Sequence, residues 1–500
     1  MKHITTKLLA LLAAAAICIL PSCNNNDEDT PVEPATKYEL TIETQQVTFT
    51  ADGGSKEIKI STDANAWYYM NGLSWLSAER WEEGIAISAA PYTGSKTRQG
   101  DLIIYVGEGE SRVEKIIKVE QLGKSGSSEG DNAIECPVFN DLLLEYCDFN
   151  GDGTISASEA AQVTEMTLTL SETDEREPIT SLKGIEMFVN LVNLDCDNNA
   201  LTELDLSGLK KLEYVDCSYN NIKSVNLSGC SSLHQFYGNM NDIEYVNLDG
   251  CDALQLFQAW QNNLTTFNVS GKKELVYLDL RINNLREVKF NDCPKLLVAA
   301  IGSNDIISLN LTGLPELYTL GCYENNLSSL DLSNLPKLEM LECYDNNIAT
   351  LDLSANPALA TLVCSNNLIS ELVLHPNAPL SKLDCSNNRL EGKWSFINYT
   401  NLKYLHCGGN NISLLDVANC VKITDLACEN TNLTDLNVTT LTILESLVAN
   451  NCLLTTLDCS SNRKLTKLHV QGNPLTELIL PEGVYISDMK VDNHDIIVRK

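Results

Sequence analysis

Residues 338–358 read LEMLECYDNNIATLDLSANPA. Leu338, Leu341 and Cys343 place apolar groups at strand spacing, Asn346 follows three residues later, and Ile348, Leu351 and Leu353 complete the apolar set. The same order recurs with a period of 21 residues, from the copy starting at Leu191 to the one starting at Leu465. There are fourteen copies, and one of them, from Leu380, has 22 residues. A single copy exposes more leucine than it can bury, so stacked copies must share one continuous core.

The period also fixes the shape of each turn. Leu338 to Cys343 alternates as a strand, and stacked strands make a parallel sheet roughly 65–70 Å long at ~4.8 Å per strand. Twenty-one residues leave no room for a helix on the return path, so Leu351 to Leu353 is expected to form a second short strand. The asparagine recurs in twelve of fourteen turns, with Thr431 and Cys452 as exceptions, and is expected to satisfy backbone groups inside the bend. This pattern resembles the leucine-rich repeat family in its short bacterial form. Cys196, Cys217, Cys322, Cys343, Cys364, Cys385, Cys407 and Cys428 share one inward column, and Cys230, Cys251, Cys293 and Cys420 alternate with leucines in another. Cysteine that alternates with leucine acts as a small hydrophobe. Parallel side chains are poor disulfide geometry, and zinc spacing is absent.

Residues flanking the inward pair face the concave side of such a sheet. In turns two to five they include Tyr214, Gln235, Tyr237, Gln258, Trp260, Tyr277, Asp279 and Arg281. A second group is Tyr323, Met340, Glu342 and Tyr344, with Tyr404 and His406 beyond. Exposed aromatics beside amides and an arginine have the composition of a recognition surface; the alternative is an unused face carrying β-favouring tyrosines. His406 and Asp384 occupy one column on adjacent turns and are expected to pair. Asp195, Asp197 and Asp216 crowd the first strands, either holding a cation or simply solvated.

Ahead of the array, residues 148–159 (DFNGDGTISASE) match a twelve-residue calcium loop. Calcium is a hard cation that takes six to eight oxygens. Asp148, Asn150 and Asp152 would supply side-chain oxygens, Thr154 its backbone carbonyl, Ser156 a water-mediated contact and Glu159 both carboxylate oxygens. Gly153 permits the sharp turn and Ile155 points to the core. Helices are expected over Pro137 to Tyr146 and Ser158 to Met166, and Cys136 and Cys147 stand close enough in sequence for a pairing to be open. A lone loop reads as a structural staple at the cap.

Residues 38–122 alternate at strand period between turn signals such as Asp52-Gly53-Gly54, which argues a sandwich of about seven antiparallel strands. Phe49, Asp52-Gly53-Gly54, Trp67, Trp75-Leu76-Ser77, Gly84, Thr97-Arg98 and Val119-Glu120-Gln121 resemble the BACON family of carbohydrate-associated modules. The resemblance implies glycan or mucin binding, or a spacer role. Trp67 and Trp75 read as core, Trp81 and Tyr92 as the exposed aromatics.

At the N-terminus, Lys2 and Lys7 precede thirteen apolar residues, Leu8 to Leu20, too short to span a bilayer. Leu20-Pro21-Ser22-Cys23 resembles a bacterial lipoprotein cleavage box, with Cys23 the lipidated residue, and Asp27-Glu28-Asp29 resembles a surface-export signal. The implied location is the outer membrane, exposed at the cell surface.

The 500 residues carry 35 basic against 67 acidic side chains, a net charge of -32 that repels nucleic acid and anionic lipid and sets those partners aside. No nucleophile–base pair, zinc-protease helix or phosphate loop appears, so no enzyme is expected. The organisation is then a signal peptide (1–22), tether (23–37), sandwich (38–122), linker (123–133), calcium-loop helical cap (134–190), repeats (191–480) and C-terminal cap (481–500). The expected fold is mainly β: an Ig-like β-sandwich followed by a leucine-rich repeat solenoid. Its leading function is a lipid-anchored protein that binds a protein partner on the concave face, as surface adhesins do. The alternatives are a glycan-binding accessory of a polysaccharide-uptake system acting through the first domain, and an envelope protein with no small ligand.

Overall fold

The computed structural model describes residues 38–50, 53–64, 66–81, 83–92, 98–107, 112–121, 134–169 and 176–500. The signal peptide, Cys23, the tether and the 123–133 linker lie outside the described residues.

One parallel sheet of sixteen strands runs the length of the array. Fourteen strands come from the repeats, one from each, such as Met340–Glu342 paired in register with Thr319–Gly321 and Thr361–Val363. The other two cap the ends. Glu165–Thr167 pairs with Asn193–Asp195 at the start, and Asp488–Lys490 with Lys467–His469 at the finish. Most return paths form short strands too, in separate sheets of two or three strands; Thr350–Leu353, which includes the expected Leu351 to Leu353, pairs with Glu371–Leu374. Between the two faces lies an unbroken core in which Leu338, Leu341, Cys343, Ile348, Leu351 and Leu353 are all buried.

The asparagine ladder does what its spacing requires. Asn346 Nδ2 donates to the carbonyls of Cys322 (3.0 Å), Cys343 (3.2 Å) and Tyr344 (3.2 Å), and its Oδ1 accepts from the Leu327 amide (2.9 Å). Where asparagine is missing, the Thr431 hydroxyl donates to the Cys428 carbonyl (2.8 Å) and the Cys452 thiol to the same carbonyl (3.2 Å). The ladder cysteines are buried free thiols, and so are Cys136 and Cys147. The Cys147 thiol instead donates to the Leu143 carbonyl, one helical turn back.

The residue before each ladder asparagine takes a left-handed backbone, and at Ile282 φ is 55°. A β-branched side chain is strained there, whereas Asn occupies the equivalent site at Asn198, Asn366, Asn387 and Asn430. Because Ile282 is half exposed, its side chain returns little packing for that strain. Ile282→Asn is expected to raise stability by about 1 kcal/mol, read as a higher midpoint in thermal unfolding.

The first domain has eight strands rather than seven: β1 (Leu40–Ile42), β2 (Gln46–Phe49), β3 (Gly54–Thr62), β4 (Tyr68–Asn71), β5 (Leu76–Trp81), β6 (Gly84–Ala89), β7 (Arg98–Val106) and β8 (Val113–Gln121). They form two four-stranded sheets, ordered β1-β3-β6-β5 and β2-β8-β7-β4, over a core that includes Phe49, Trp67, Ile85 and Ile104. The β2–β8 pair is parallel, the one departure from antiparallel order among these strands. Gln121 explains why the closing motif ends as it does. Fully buried, it donates to the carbonyls of Thr50 (3.1 Å) and Ala90 (2.9 Å) and accepts from Arg98 Nη2 (2.7 Å).

Tyr38–Lys500 is one compact unit, and the first domain rests on the back of the array. The Tyr245 ring fills the space beside Gly72, where an added Cβ would come within 1.9 Å of it. Burial there pushes the Tyr245 phenol up to about 12. Thr266 Oγ1 donates to Met70 Sδ at 3.0 Å, and Arg112 ion-pairs with Glu287 at 3.0 Å while lying 3.9 Å over the Tyr105 ring. Tyr245, Thr266 and Glu287 all begin back-face strands of turns three to five, so the concave sheet is left uncovered by this contact.

Candidate functional site

The cap loop is held by its own carboxylates. Asp148 Oδ1 accepts from the Gly151 amide (2.8 Å) and Oδ2 from the Gly153 amide (2.9 Å). Asp152 Oδ1 accepts from Thr154 N (2.9 Å) and Thr154 Oγ1 (2.7 Å), and Asn150 Nδ2 donates to Asp152 Oδ2 (3.0 Å). Glu159, 3% exposed, spans the loop: Oε1 accepts from the Asn150 amide (3.1 Å) and Oε2 from Ser156 N (2.9 Å) and Oγ (2.7 Å). These bonds, the Ser156 hydroxyl foremost, hold the Glu159 carboxyl below its usual range. Gly153, at φ 80°, makes the turn a side chain would resist.

The residues therefore fit a hard cation in donor type, being all oxygen. The carboxylates are nevertheless turned onto amides, and no group of three carboxylate, imidazole or thiol side chains converges as a metal centre among the described residues. The flanking helix Pro137–Cys147 is as expected, but the second is a single turn, Ala157–Ala160. Met166, read as helical, lies instead in the first strand of the long sheet, opposite Leu194. Among the described residues no helix is long and apolar enough to cross a membrane.

On the concave sheet the expected ligand residues fall into two groups. Tyr214 and Tyr237 sit 5.6 Å apart between ring centroids, with the Tyr237 hydroxyl donating to Gln235 Oε1 at 3.4 Å. Further along, the Tyr323 and Tyr344 rings stack at 4.7 Å with planes only 3° apart. Arg281 reaches this pair from turn five. Its Nε and Nη2 donate to Asp279 at 2.9 and 2.7 Å, and the Tyr323 phenol lies close enough to the same guanidinium to feel its charge. The bonds to Asp279 raise the arginine pKa, fixing it as a permanent cation.

Three residues do not present themselves as expected; one of them, Asp279, is 1% exposed with its carboxylate held by Arg281. Tyr277 is 3% exposed, walled by Leu256 and Val298 in register on either side, and Gln258 is 6% exposed between Tyr237 and Asp279. Gln258 Oε1 instead accepts from Asn239 Nδ2 (3.2 Å), and Asn239 Oδ1 in turn accepts from the Trp260 amide (3.2 Å). Trp260, Tyr214, Gln235, Tyr237, Arg281, Tyr323, Glu342 and Tyr344 remain partly open to solvent. The sequence reading passed over Asn239 and Gly302. A Cβ at Gly302 would lie 2.5 Å from the Tyr323 ring, so glycine makes room for the tyrosine to lean toward Arg281. Gly302 lies just past the strand Val298–Ala300, in the column that holds Arg281 one turn before and Tyr323 one turn after, and a glycine in a column of large side chains is the signal that marks such a close approach.

His406 also has a different partner. It stands in register with Asp384, yet its Nε2 bonds Asp425 Oδ1 on the following turn at 3.0 Å. Asp384 is already engaged by the Ser386 amide and hydroxyl, at 3.1 and 2.5 Å. The bond to Asp425 raises the His406 pKa above its ordinary value. A raised folded value stabilises below the unfolded pKa near 6.5, and that contribution disappears as pH climbs through the folded value. Asp425→Asn is therefore expected to lower the His406 titration midpoint in proton NMR.

In the first domain, the aromatic faces are covered. Arg98 lies 4.1 Å over Tyr92 and 4.6 Å over Trp75, and Arg80 lies 4.6 Å over Trp67. Tyr92 and Trp81 are half-buried rather than open, and Tyr68, 46% exposed and stacked on Tyr105, is the sandwich's open tyrosine.

No protein-family model and no curated protein matches the chain. Among solved structures it is similar to the functional domain of InlJ from Listeria monocytogenes, described as including a cysteine ladder. Identity is 26%, the TM-score is 0.56, and the match covers 65% of this chain and 70% of that one. It is also similar in fold to YopM, a leucine-rich effector protein of Yersinia pestis, at 23% identity and TM-score 0.52, covering 66% of this chain and 89% of that one. The buried cysteine column, the asparagine bends and these likenesses agree: the array has the leucine-rich repeat solenoid fold.

Proposed function

We propose that this protein is a surface-displayed, lipid-anchored binding protein whose concave sheet recognises a protein partner. The observation that carries the reading is the division of the two faces. The first domain rests on the back of turns three to five, while the concave face keeps stacked tyrosines, Trp260 and a fixed arginine open to solvent. Aromatic rings beside arginine are the groups that dominate protein interfaces. Cys23 is the lipid attachment point in this account, the outer membrane the location, and the sandwich a brace for the array. The glycan-accessory reading has less support, because of the two aromatics expected to meet a sugar Tyr92 is covered by Arg98 and Trp81 is half-buried. The test screens the chain against extracellular proteins and mucin glycans, with Trp260→Ala and Tyr68→Ala variants alongside. Protein capture lost only with Trp260→Ala supports the reading, whereas glycan capture lost only with Tyr68→Ala overturns it.

Calcium belongs to the same proposal as a staple of the cap, held by Asp148, Asn150, Asp152, Thr154, Ser156 and Glu159. A ligand that binds only the folded state at a hundred times its dissociation constant adds about 2.7 kcal/mol. Calcium is thus expected to slow amide exchange in residues 137–167, and Glu159→Gln to abolish that response. Exchange indifferent to calcium would remove the metal from the account.

A further inference from the structure

The concave face is charged unevenly. At its strand-facing positions, turns one to twelve carry eight carboxylates against two basic side chains, Arg281 and Lys382. Arg281 is already neutralised by Asp279. In the last turns the balance is restored, with Lys467 and Lys490 beside Asp488 and Asp492.

Two of the carboxylates are short of partners. Glu342 is half-buried in the field of Lys382 and Arg281 and makes no side-chain hydrogen bond among the described residues. Glu429 has an Oε2 atom shielded from solvent with no hydrogen-bond partner. A half-buried carboxylate without a protein donor relies on water, and an incoming cation can take the place of that water as its partner. On the same turn as Glu342 stands Tyr344, one face stacked on Tyr323, and one turn before Glu429 stands the 46% exposed Tyr404; such rings attract a guanidinium or ammonium group. Both observations, the unpaired oxygens and the open rings, ask for the same chemistry.

We infer that turns eight to twelve of the concave face take an extended, arginine- or lysine-rich segment of a protein partner. This rests on the protein-recognition reading above and narrows it. Glu342 and Glu429 lie four strand spacings apart, ~19 Å, which an extended chain covers with about six residues. Glu342 and Glu429 pair with cationic side chains near the two ends of that segment, with Tyr344 beside the first of them and Tyr404 one turn before the second. The face repels polyanions, so nucleic acid and anionic lipid are excluded as occupants.

The test is fluorescence anisotropy on the full chain with two labelled hexapeptides, (Arg-Gly)3 and (Glu-Gly)3. Because the whole molecule is acidic, placement of charge must be separated from total charge. Glu342→Gln with Glu429→Gln is therefore compared with Glu371→Gln and Glu391→Gln, exposed carboxylates on back strands that change the net charge equally. The expected result is binding of the arginine peptide alone, weakened at least tenfold by the concave pair and less than twofold by the back pair. Tyr344→Leu, which leaves charge untouched, should weaken it about threefold or more, consistent with a cation–π contact of ~0.5–1 kcal/mol. Equal weakening by both charge pairs, or no binding of the arginine peptide, overturns the inference. A captured protein partner that needs Trp260 but ignores the Glu342 and Glu429 substitutions would overturn it while leaving protein recognition intact.

Discussion

Replacing Asn346 by alanine is expected to cost about 3 kcal/mol and to loosen turns seven to nine together. The reasoning follows the hydrogen bonds rather than the side chain's size. The Cys322 carbonyl retains Asn325 Nδ2 (3.2 Å) and the Cys343 carbonyl retains Asn367 Nδ2 (2.9 Å), so neither becomes an orphan. The Leu327 amide loses Asn346 Oδ1, and Leu327 is fully buried. An unsatisfied buried amide costs ~1–3 kcal/mol, and the lost bonds and the space left behind supply the remainder. In a repeat array the damage spreads to nearest neighbours, so the change should appear as faster amide exchange across adjoining turns. Cys452→Asn makes the opposite change at a turn that lacks the ladder residue and is expected to stabilise it by ~1 kcal/mol. If both substitutions shift stability in the same direction, the ladder does not set the stability of the bend.

The second large effect concerns the back of the array. Gly72→Leu puts a side chain where the Tyr245 ring lies, 1.9 Å from the first added carbon, so the two must part. Overpacking of this kind costs roughly 1–3 kcal/mol or more. The first domain is expected to leave, exposing Tyr245–Asn247 and Thr266–Asn268 and raising their amide exchange at least tenfold. Concave strands such as Met340–Glu342 should exchange as before. Arg112→Ala tests the same dock through the Glu287 pair without adding bulk. Unchanged exchange on the back strands in both variants would mean that the domains do not brace each other.

The repeat was legible because its signals are local and repeated. Leu338, Leu341 and Cys343 state the strand, Asn346 the bend and Leu351 the return, and the other copies repeat the pattern, with Thr431 and Cys452 the exceptions at the bend. Gln121 and Arg98 were legible as motif positions, though their joint role emerged only when the Gln121 amide was found bridging Thr50 and Ala90. What failed depended on neighbours that no column displays. Tyr277 belongs to an outward column, but Leu256 and Val298 rise beside it on adjacent strands and close it from solvent. His406 was matched to Asp384 by column alone, while the serine two residues after Asp384 had already claimed that carboxylate. The second cap helix failed because Met166 finds a strand partner in Leu194, a tertiary pairing that overrides local preference. The meeting of Gly72 with Tyr245 joins two domains far apart in sequence and carries no periodic trace.

The concave face as recognition surface is tested most directly by hydrogen-exchange footprinting of the full chain with a captured protein partner. The account predicts protection at concave strands, Tyr277–Asp279 through Tyr404–His406, with the first domain unchanged. Protection confined to residues 38–121, with the concave strands exchanging as in the free protein, would contradict it.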